Sequence, residues 1–272
     1  MNDENNHSVI ENELKKLGYW NNLYSKDDYF GTGQTILADF AKTIIEEHNI
    51  TNLLELGCGQ GRDSIFFANF VPVVTSIDIS KNAINFVKKI KNEKNISNLH
   101  LFVHDIKKPL NFQNKSFDMV YSNLALQFFN INELKEIFSN ISNTMSKNSF
   151  FLFSTKKPGD KYFNFGNKIS ENSFEYKNIT RFFFQKSEIQ KLLESYFKII
   201  SFEEDKHQNP DNTISAWWKI LVKVFESFVG KPLAGFHICP CPRGYKTIMS
   251  NPSFISCRKR AFIRSAASPN PW

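Results

Sequence analysis

The chain has 272 residues, 41% apolar and 22% charged, with 34 Lys and Arg against 27 Asp and Glu for a formal charge of +7. That length supports one large core rather than a small stapled scaffold, and four cysteines, three of them within the last 34 residues, exclude a disulfide framework. No apolar run approaches the roughly 18–20 residues that cross a bilayer, and the polar, acidic opening MNDENNHSVIENEL is unlike a secretory leader, so a cytoplasmic protein without membrane segments is expected.

The charge is unevenly placed. Residues 225–272 hold 7 basic and 1 acidic side chains, which leaves 27 and 26 in residues 1–224. The same point marks a change of usage: the body has 25 Lys to 2 Arg, whereas the tail has 4 Arg to 3 Lys and 6 of the 10 prolines. Three segments follow: an N-terminal helical or lid segment over 1–33, a body over 34–224, and a basic, poorly ordered extension over 225–272. The run Arg258-Lys259-Arg260 reads as a solvated face, so nucleic acid is not an expected partner. His237, Cys239 and Cys241 are spaced too tightly for an ordinary zinc site, and no metal is expected.

Along the body, helical and strand patterns alternate. Residues 34–48 carry Ile36, Leu37, Phe40, Ala41, Ile44 and Ile45 on one stripe, an amphipathic helix. Residues 52–56 form a short apolar strand that runs into Gly57-Cys58-Gly59-Gln60-Gly61, and a helix begins at Arg62. A second strand is expected over 71–79, then a helix capped by Ser80 with Ala83, Ile84, Val87 and Ile90 inward. Third and fourth strands fall at 99–104 and 117–122, and Asn130 with Glu133 makes a capping pair before the next helix. A fifth strand at 150–154 precedes an irregular insertion over 156–182. Ser187 with Gln190 starts a last helix, and two strands at 197–203 and 214–224 close the body as a hairpin, which is antiparallel. The fold class expected is α/β: a three-layer, Rossmann-like arrangement with a mostly parallel seven-stranded sheet and an antiparallel C-terminal hairpin.

The chemistry gathers at the strand ends, where open α/β sheets bind nucleotides. Glycines at 57, 59 and 61 allow close backbone approach, but the sixth position of a dinucleotide fingerprint is Arg62, so the pattern is not that of a pyrophosphate site. Glu55, two residues before the first glycine, instead faces the ammonium of a ligand that lacks phosphate. Asp78, with Ile79 after it, ends the second strand where a carboxylate can accept both ribose hydroxyls. Asp105 and Ile106 close the third strand and suit an adenine edge, and the fourth strand ends in Ser122-Asn123 beside the reactive end.

Taken together, E-x-G-x-G-x-G, an acid at the second strand end, D-I at the third and FDMVYS at the fourth resemble a class I S-adenosylmethionine-dependent methyltransferase over about residues 19–224. Within that superfamily, GCGQGRDSIFFA, YWNNLYSKDDYFGTG and RFFFQKSEIQKLLESYFKIISFEEDKH look most like the tellurite-resistance and thiopurine methyltransferase group. The resemblance implies S-adenosylmethionine as cofactor, held by Glu55, Gly57, Cys58, Gly59, Gly61, Asp78, Ile79, Asp105, Ile106 and Ser122. It also implies a small-molecule acceptor, with a soft nucleophile such as a thiol or a tellurium or selenium oxyanion among the expectations. Asn123, Arg181 and His207 are the candidate catalytic residues; Arg181, one of only two arginines in the body with Arg62, reads either as an anion-reading group or as an exposed loop charge.

The cluster Tyr19, Trp20, Tyr24, Tyr29 and Phe30 reads either as a lid over the cofactor or as packing. His207 is either a substrate-side group in the hairpin loop or a solvated loop residue, and the residue after it is Gln208 where the group has arginine. Two other functions stay open. One is methylation of nucleic acid or protein, although the N/D-P-P-Y turn usual after the fourth strand of base methyltransferases is here Ser122-Asn123-Leu124-Ala125. The other is binding of the cofactor without turnover. Oligomeric state is not legible.

Overall fold

The computed structural model describes residues 2–26, 31, 33–110, 112 and 117–224, with side chains for residue 11 and from residue 13 onward. The expectations for the 225–272 extension, with its cysteines, and for Tyr29 and Phe30 lie outside the described residues. All described residues belong to one compact unit.

Helix α1 (Asn2–Leu23) precedes α2 (Ile36–His48), which starts where Thr35 Oγ1 accepts from the Ala38 N–H. The body then runs β1 (Asn52–Leu56), α3 (Arg62–Phe67), β2 (Val73–Asp78), α4 (Lys81–Glu93), β3 (Leu99–Val103), β4 (Phe117–Asn123), a single 3-10 turn at Leu126–Phe128, α5 (Ile131–Thr144) and β5 (Met145–Lys156). Ser80 caps α4 by accepting from Ala83 N at 3.2 Å. Asn130 and Glu133 cap α5 reciprocally: Asn130 Oδ1 accepts from Glu133 N at 3.0 Å while Glu133 Oε2 accepts from Asn130 N at 2.8 Å. The final elements are β6 (Asn167–Ser170), β7 (Ser173–Tyr176), β8 (Ile179–Phe182), α6 (Lys186–Leu193), β9 (Phe197–Gln208) and β10 (Ile214–Val224).

The main sheet has the order β3-β2-β1-β4-β5-β10-β9, parallel from β3 through β5 and antiparallel at β10 and β9. Alternation along each strand divides the core into two layers. Leu54, Val120, Phe151, Phe153 and Ile220 face Leu134, Phe138 and Ile141 of α5 and Ile189 and Leu193 of α6. Leu53, Tyr121, Leu152 and Leu221 face Leu37, Ala41 and Ile45 of α2, Phe67 of α3 and Val87 of α4. The abundance of Phe is spent here: Phe138, Phe151, Phe153 and Phe197 form one contiguous ring cluster with centroids 4.6–6.1 Å apart.

Three expectations need correction. The 156–182 insertion is not irregular throughout, because β6, β7 and β8 form a separate antiparallel sheet. Its strands are only four residues long and are joined by the two-residue turns Glu171-Asn172 and Lys177-Asn178, which hid the alternation. Helix α6 is capped at Gln185, whose N–H donates to Glu188 Oε2 at 2.8 Å, rather than at Ser187. Finally, β9 continues to Gln208, so Asp205, Lys206 and His207 are paired with Trp217, Ala216 and Ser215 instead of lying in the hairpin loop. The pairing partner on β10 overrides a polar composition that reads locally as loop.

Candidate functional site

The chain leaves β1 through Gly57, Gly59 and Gly61, all in the left-handed region with φ of 71°, 52° and 74°. Two of them are also needed for space. A side chain at Gly57 would lie 2.6 Å from Ala125 Cβ, and one at Gly61 would lie 2.6 Å from Val87 Cγ2. Gly61 therefore lets α3 start close against α4, and Gly57 lets the loop after β4 close over the end of β1.

Around this loop lies a cavity of about 510 Å³, a size typical of small-ligand sites. Glu55, Gly57, Cys58, Gly59, Asp78, Ile79, Asp105, Ile106, Asn123 and Arg181 all line it. Three other expected residues do not. Gly61 packs on Val87, Ser122 is buried with its hydroxyl donating to Leu56 O at 3.1 Å, and His207 is exposed on β9.

The cavity's acidic half sits at the ends of β1, β2 and β3. Asp78 accepts the N–H groups of Gly59 and Ser80, each at 2.8 Å, one on each carboxylate oxygen. This ties the glycine loop to the β2 end and leaves further lone pairs for ligand hydroxyls. Burial raises its pKa against these two bonds. Glu55 is buried and accepts from the hydroxyls of Ser64 and Ser76. Burial, with the neighbouring Asp63, pushes its carboxyl up to about 8. The Cys58 thiol is likewise pushed up by burial and by Glu55. Asp105 turns the chain after β3, accepting from Lys107 N at 3.0 Å.

Helix α1 roofs this half. Asn21 Oδ1 accepts from Ser80 Oγ at 2.9 Å, Asn82 donates to Asn21 O at 2.8 Å, and Glu13 pairs with Lys107. Gln60 donates to Lys26 O at 2.8 Å. Tyr19, Trp20 and Tyr24 of this segment line the cavity, and Trp20 meets Phe128 edge-on at 4.8 Å. The Tyr24 hydroxyl is held strongly protonated by burial and by Asp78.

The basic half lies at the end of β5 and on β8. Lys156 is buried and paired with Asp160, which also accepts from Ala216 N at 2.8 Å and Tyr162 N at 3.0 Å. Burial holds the Lys156 ammonium below the usual lysine range, opposed by Asp160. Arg181 stands 4.9 Å from the Tyr162 ring centroid and 5.7 Å from that of Phe128.

Sequence reasoning missed Asp63, Gln127, Lys156 and Tyr162. Asp63 accepts from Thr35 N, Thr35 Oγ1 and Tyr121 Oη at 2.8, 2.8 and 2.6 Å, locking α2, α3 and β4 together beneath the cavity. Lys156 ends a parallel strand on the side where such sheets bind ligands, so its position was a usable signal. Gln127 and Tyr162, in a turn and an insertion, carried none.

Residues 47–221 match the family described as methyltransferase domain. A probable S-adenosyl-L-methionine-dependent methyltransferase, TehB, of Haemophilus influenzae is 30% identical over 118 residues, 43% of this chain and 40% of that protein. Demethylmenaquinone methyltransferase of Leptospira interrogans is 30% identical over 104 residues, 37% of this chain and 41% of that protein. The chain thus aligns with about two fifths of the length of these curated relatives. Among solved structures, the fold is shared with an S-adenosylmethionine-dependent methyltransferase of Methanosarcina mazei (TM-score 0.57, 18% identity, 66% of this chain and 96% of that one). It is shared too with TehB of Haemophilus influenzae (TM-score 0.54, 18% identity, 73% and 67%). With the family matched across most of the body and the sheet order observed independently, the chain belongs to the methyltransferase domain family.

Proposed function

We propose that this chain is an S-adenosylmethionine-dependent methyltransferase acting on a small-molecule acceptor. The observation that carries the proposal is the joint placement of two buried carboxylates, Glu55 and Asp78, beside a loop of three left-handed glycines in one cavity. The donor set suits the cofactor. A buried carboxyl with a raised pKa is stabilised by a cation, and Glu55 is offered to the ammonium of the methionine part. Asp78 is offered to the ribose hydroxyls, and Asp105 with Ile106 to the adenine. When bound, S-adenosylmethionine supplies an electrophilic methyl on a sulfonium.

What the chain itself contributes is alignment and exclusion of water. Effective molarities for well-aligned partners supply roughly 7–11 kcal/mol of barrier lowering without any proton transfer. Tyr19, Trp20 and Tyr24 close the side toward solvent. Asn123, whose Oδ1 accepts from Ser154 Oγ at 2.6 Å, is held rigid at the end of β4 between the two halves of the cavity.

The described cavity lining offers no neutral histidine as a general base. This favours acceptors that are already nucleophilic at neutral pH, such as thiolates or selenium and tellurium oxyanions. A screen with methyl-labelled S-adenosylmethionine over thiols, selenite, tellurite and quinols tests this. Label transfer to a thiol or oxyanion supports it, and transfer only to quinols, which must give up a proton in the reaction, contradicts the soft-nucleophile part.

A further inference from the structure

The charged groups of the cavity fall on two sides. Glu55, Asp78 and Asp105 stand at β1, β2 and β3, with Lys16, Arg62 and Lys107 also in the lining there and Lys107 paired with Glu13, while Lys156 and Arg181 stand at β5 and β8, beyond β4 in the sheet order. On the basic side Lys156 is already matched by Asp160, whose carboxylate also takes two backbone N–H groups. Arg181 is not matched. It is partly buried, it lines the cavity, and it has no carboxylate or hydrogen-bond partner among the described residues; its neighbours are the Tyr162 and Phe128 rings. Next to it, Gln127 is 4% exposed and lines the same cavity, and its Oε1 is buried without a hydrogen-bond partner. A buried acceptor atom left unpaired is costly, and a partly buried guanidinium held over two rings keeps its donor fork available to an anion.

We propose that this end of the cavity is an acceptor subsite for a small planar acid: an anionic group, carboxylate in shape, is held by the Arg181 fork, an apolar ring lies among Trp20, Phe128 and Tyr162, and an N–H or O–H of the acceptor is taken by Gln127 Oε1. The fork geometry matches a two-oxygen anion, and rings flanking the guanidinium hold its plane. An anionic acceptor held at Arg181 is thereby kept on the β8 side of the cavity, away from the carboxylates of Glu55 and Asp78 offered to the cofactor. This subsite rests on the methyltransferase function proposed above.

The test titrates benzoate, and separately its neutral isostere benzamide, into the full chain saturated with S-adenosylhomocysteine, followed by calorimetry. Benzoate is expected to bind about tenfold or more tighter than benzamide, the factor set by one charge-assisted hydrogen-bonded contact. Arg181→Gln is expected to abolish that preference, and Arg181→Lys to retain only part of it, because charge is kept while the fork is lost. Retained S-adenosylhomocysteine binding by both variants is the check that they are folded. Equal affinity for the two probes, binding of neither, or a preference that survives Arg181→Gln overturns the subsite while leaving the cofactor assignment standing. Failure of the wild-type chain to bind S-adenosylhomocysteine overturns the methyltransferase function itself, and the subsite with it.

Discussion

Replacing Gly61 by alanine puts two penalties at one atom. The residue holds φ at +74°, where a side chain costs about 1–2 kcal/mol, and the new Cβ would sit 2.6–2.7 Å from both methyls of Val87. Val87 is fully buried on α4 and β-branched, so it has few rotamers into which to retreat. Overpacking of this kind costs about 1–3 kcal/mol, so the sum is about 2–5 kcal/mol. In urea, that moves the unfolding midpoint down by about 1–2 M. Gly59→Ala is the control. Its φ is +52°, and its Cβ would meet the far end of one side chain, Tyr24, at 2.9 Å from the hydroxyl and 3.3 Å from Cζ, where a small shift of the ring relieves the contact, so it is expected to cost about 1–2 kcal/mol, mainly the backbone strain. Equal midpoints for Gly61→Ala and wild type, or a Gly59→Ala loss as large as that of Gly61→Ala, would refute the packing argument.

Glu55 titrates high in the fold, near 8 against an ordinary 4.5, so between those values the folded state keeps a proton that the unfolded chain loses. Stability therefore falls as pH rises through that window. Glu55→Gln is expected to flatten this fall and to bind S-adenosylmethionine more weakly; parallel pH profiles for the two proteins would count against it. Lys156→Met strips Asp160 of its buried partner and is expected to cost about 3–5 kcal/mol by chemical denaturation. Lys156→Met with Asp160→Asn should recover part of that loss, and no recovery would mean the ion pair is not the source. A chain ending after Val224 keeps all seven strands of the main sheet, so a single cooperative transition by circular dichroism is expected; loss of the transition would make the extension integral to the fold.

Much of the sheet was legible because its signals are local. Apolar runs end in glycines or an acid, Ser80 and Asn130 mark helix starts, and two strand patterns without a helix between them require a hairpin. The acidic half of the cavity was legible for the same reason, since Glu55 and Asp78 lie at the ends of β1 and β2 and Asp105 comes just after β3. The basic half was not. Lys156, Tyr162 and Arg181 come together only through an insertion whose four-residue strands fold back on themselves, and Gln127 sits in a single helical turn. His207 misled in the opposite direction: its polar neighbours imply a loop, while register with Ser215 holds it on an exposed face of β9.

The most direct test is a calorimetric titration of S-adenosylmethionine into the wild-type chain and into Asp78→Asn. Asparagine preserves shape but removes the charge and one of the two acceptor oxygens that bind Gly59 and Ser80. The account predicts one saturable site in the wild type and a loss of about tenfold to a hundredfold in Asp78→Asn, the value of one hydrogen bond to a charged group. No binding by the wild type, or unchanged affinity in a folded Asp78→Asn, would contradict it.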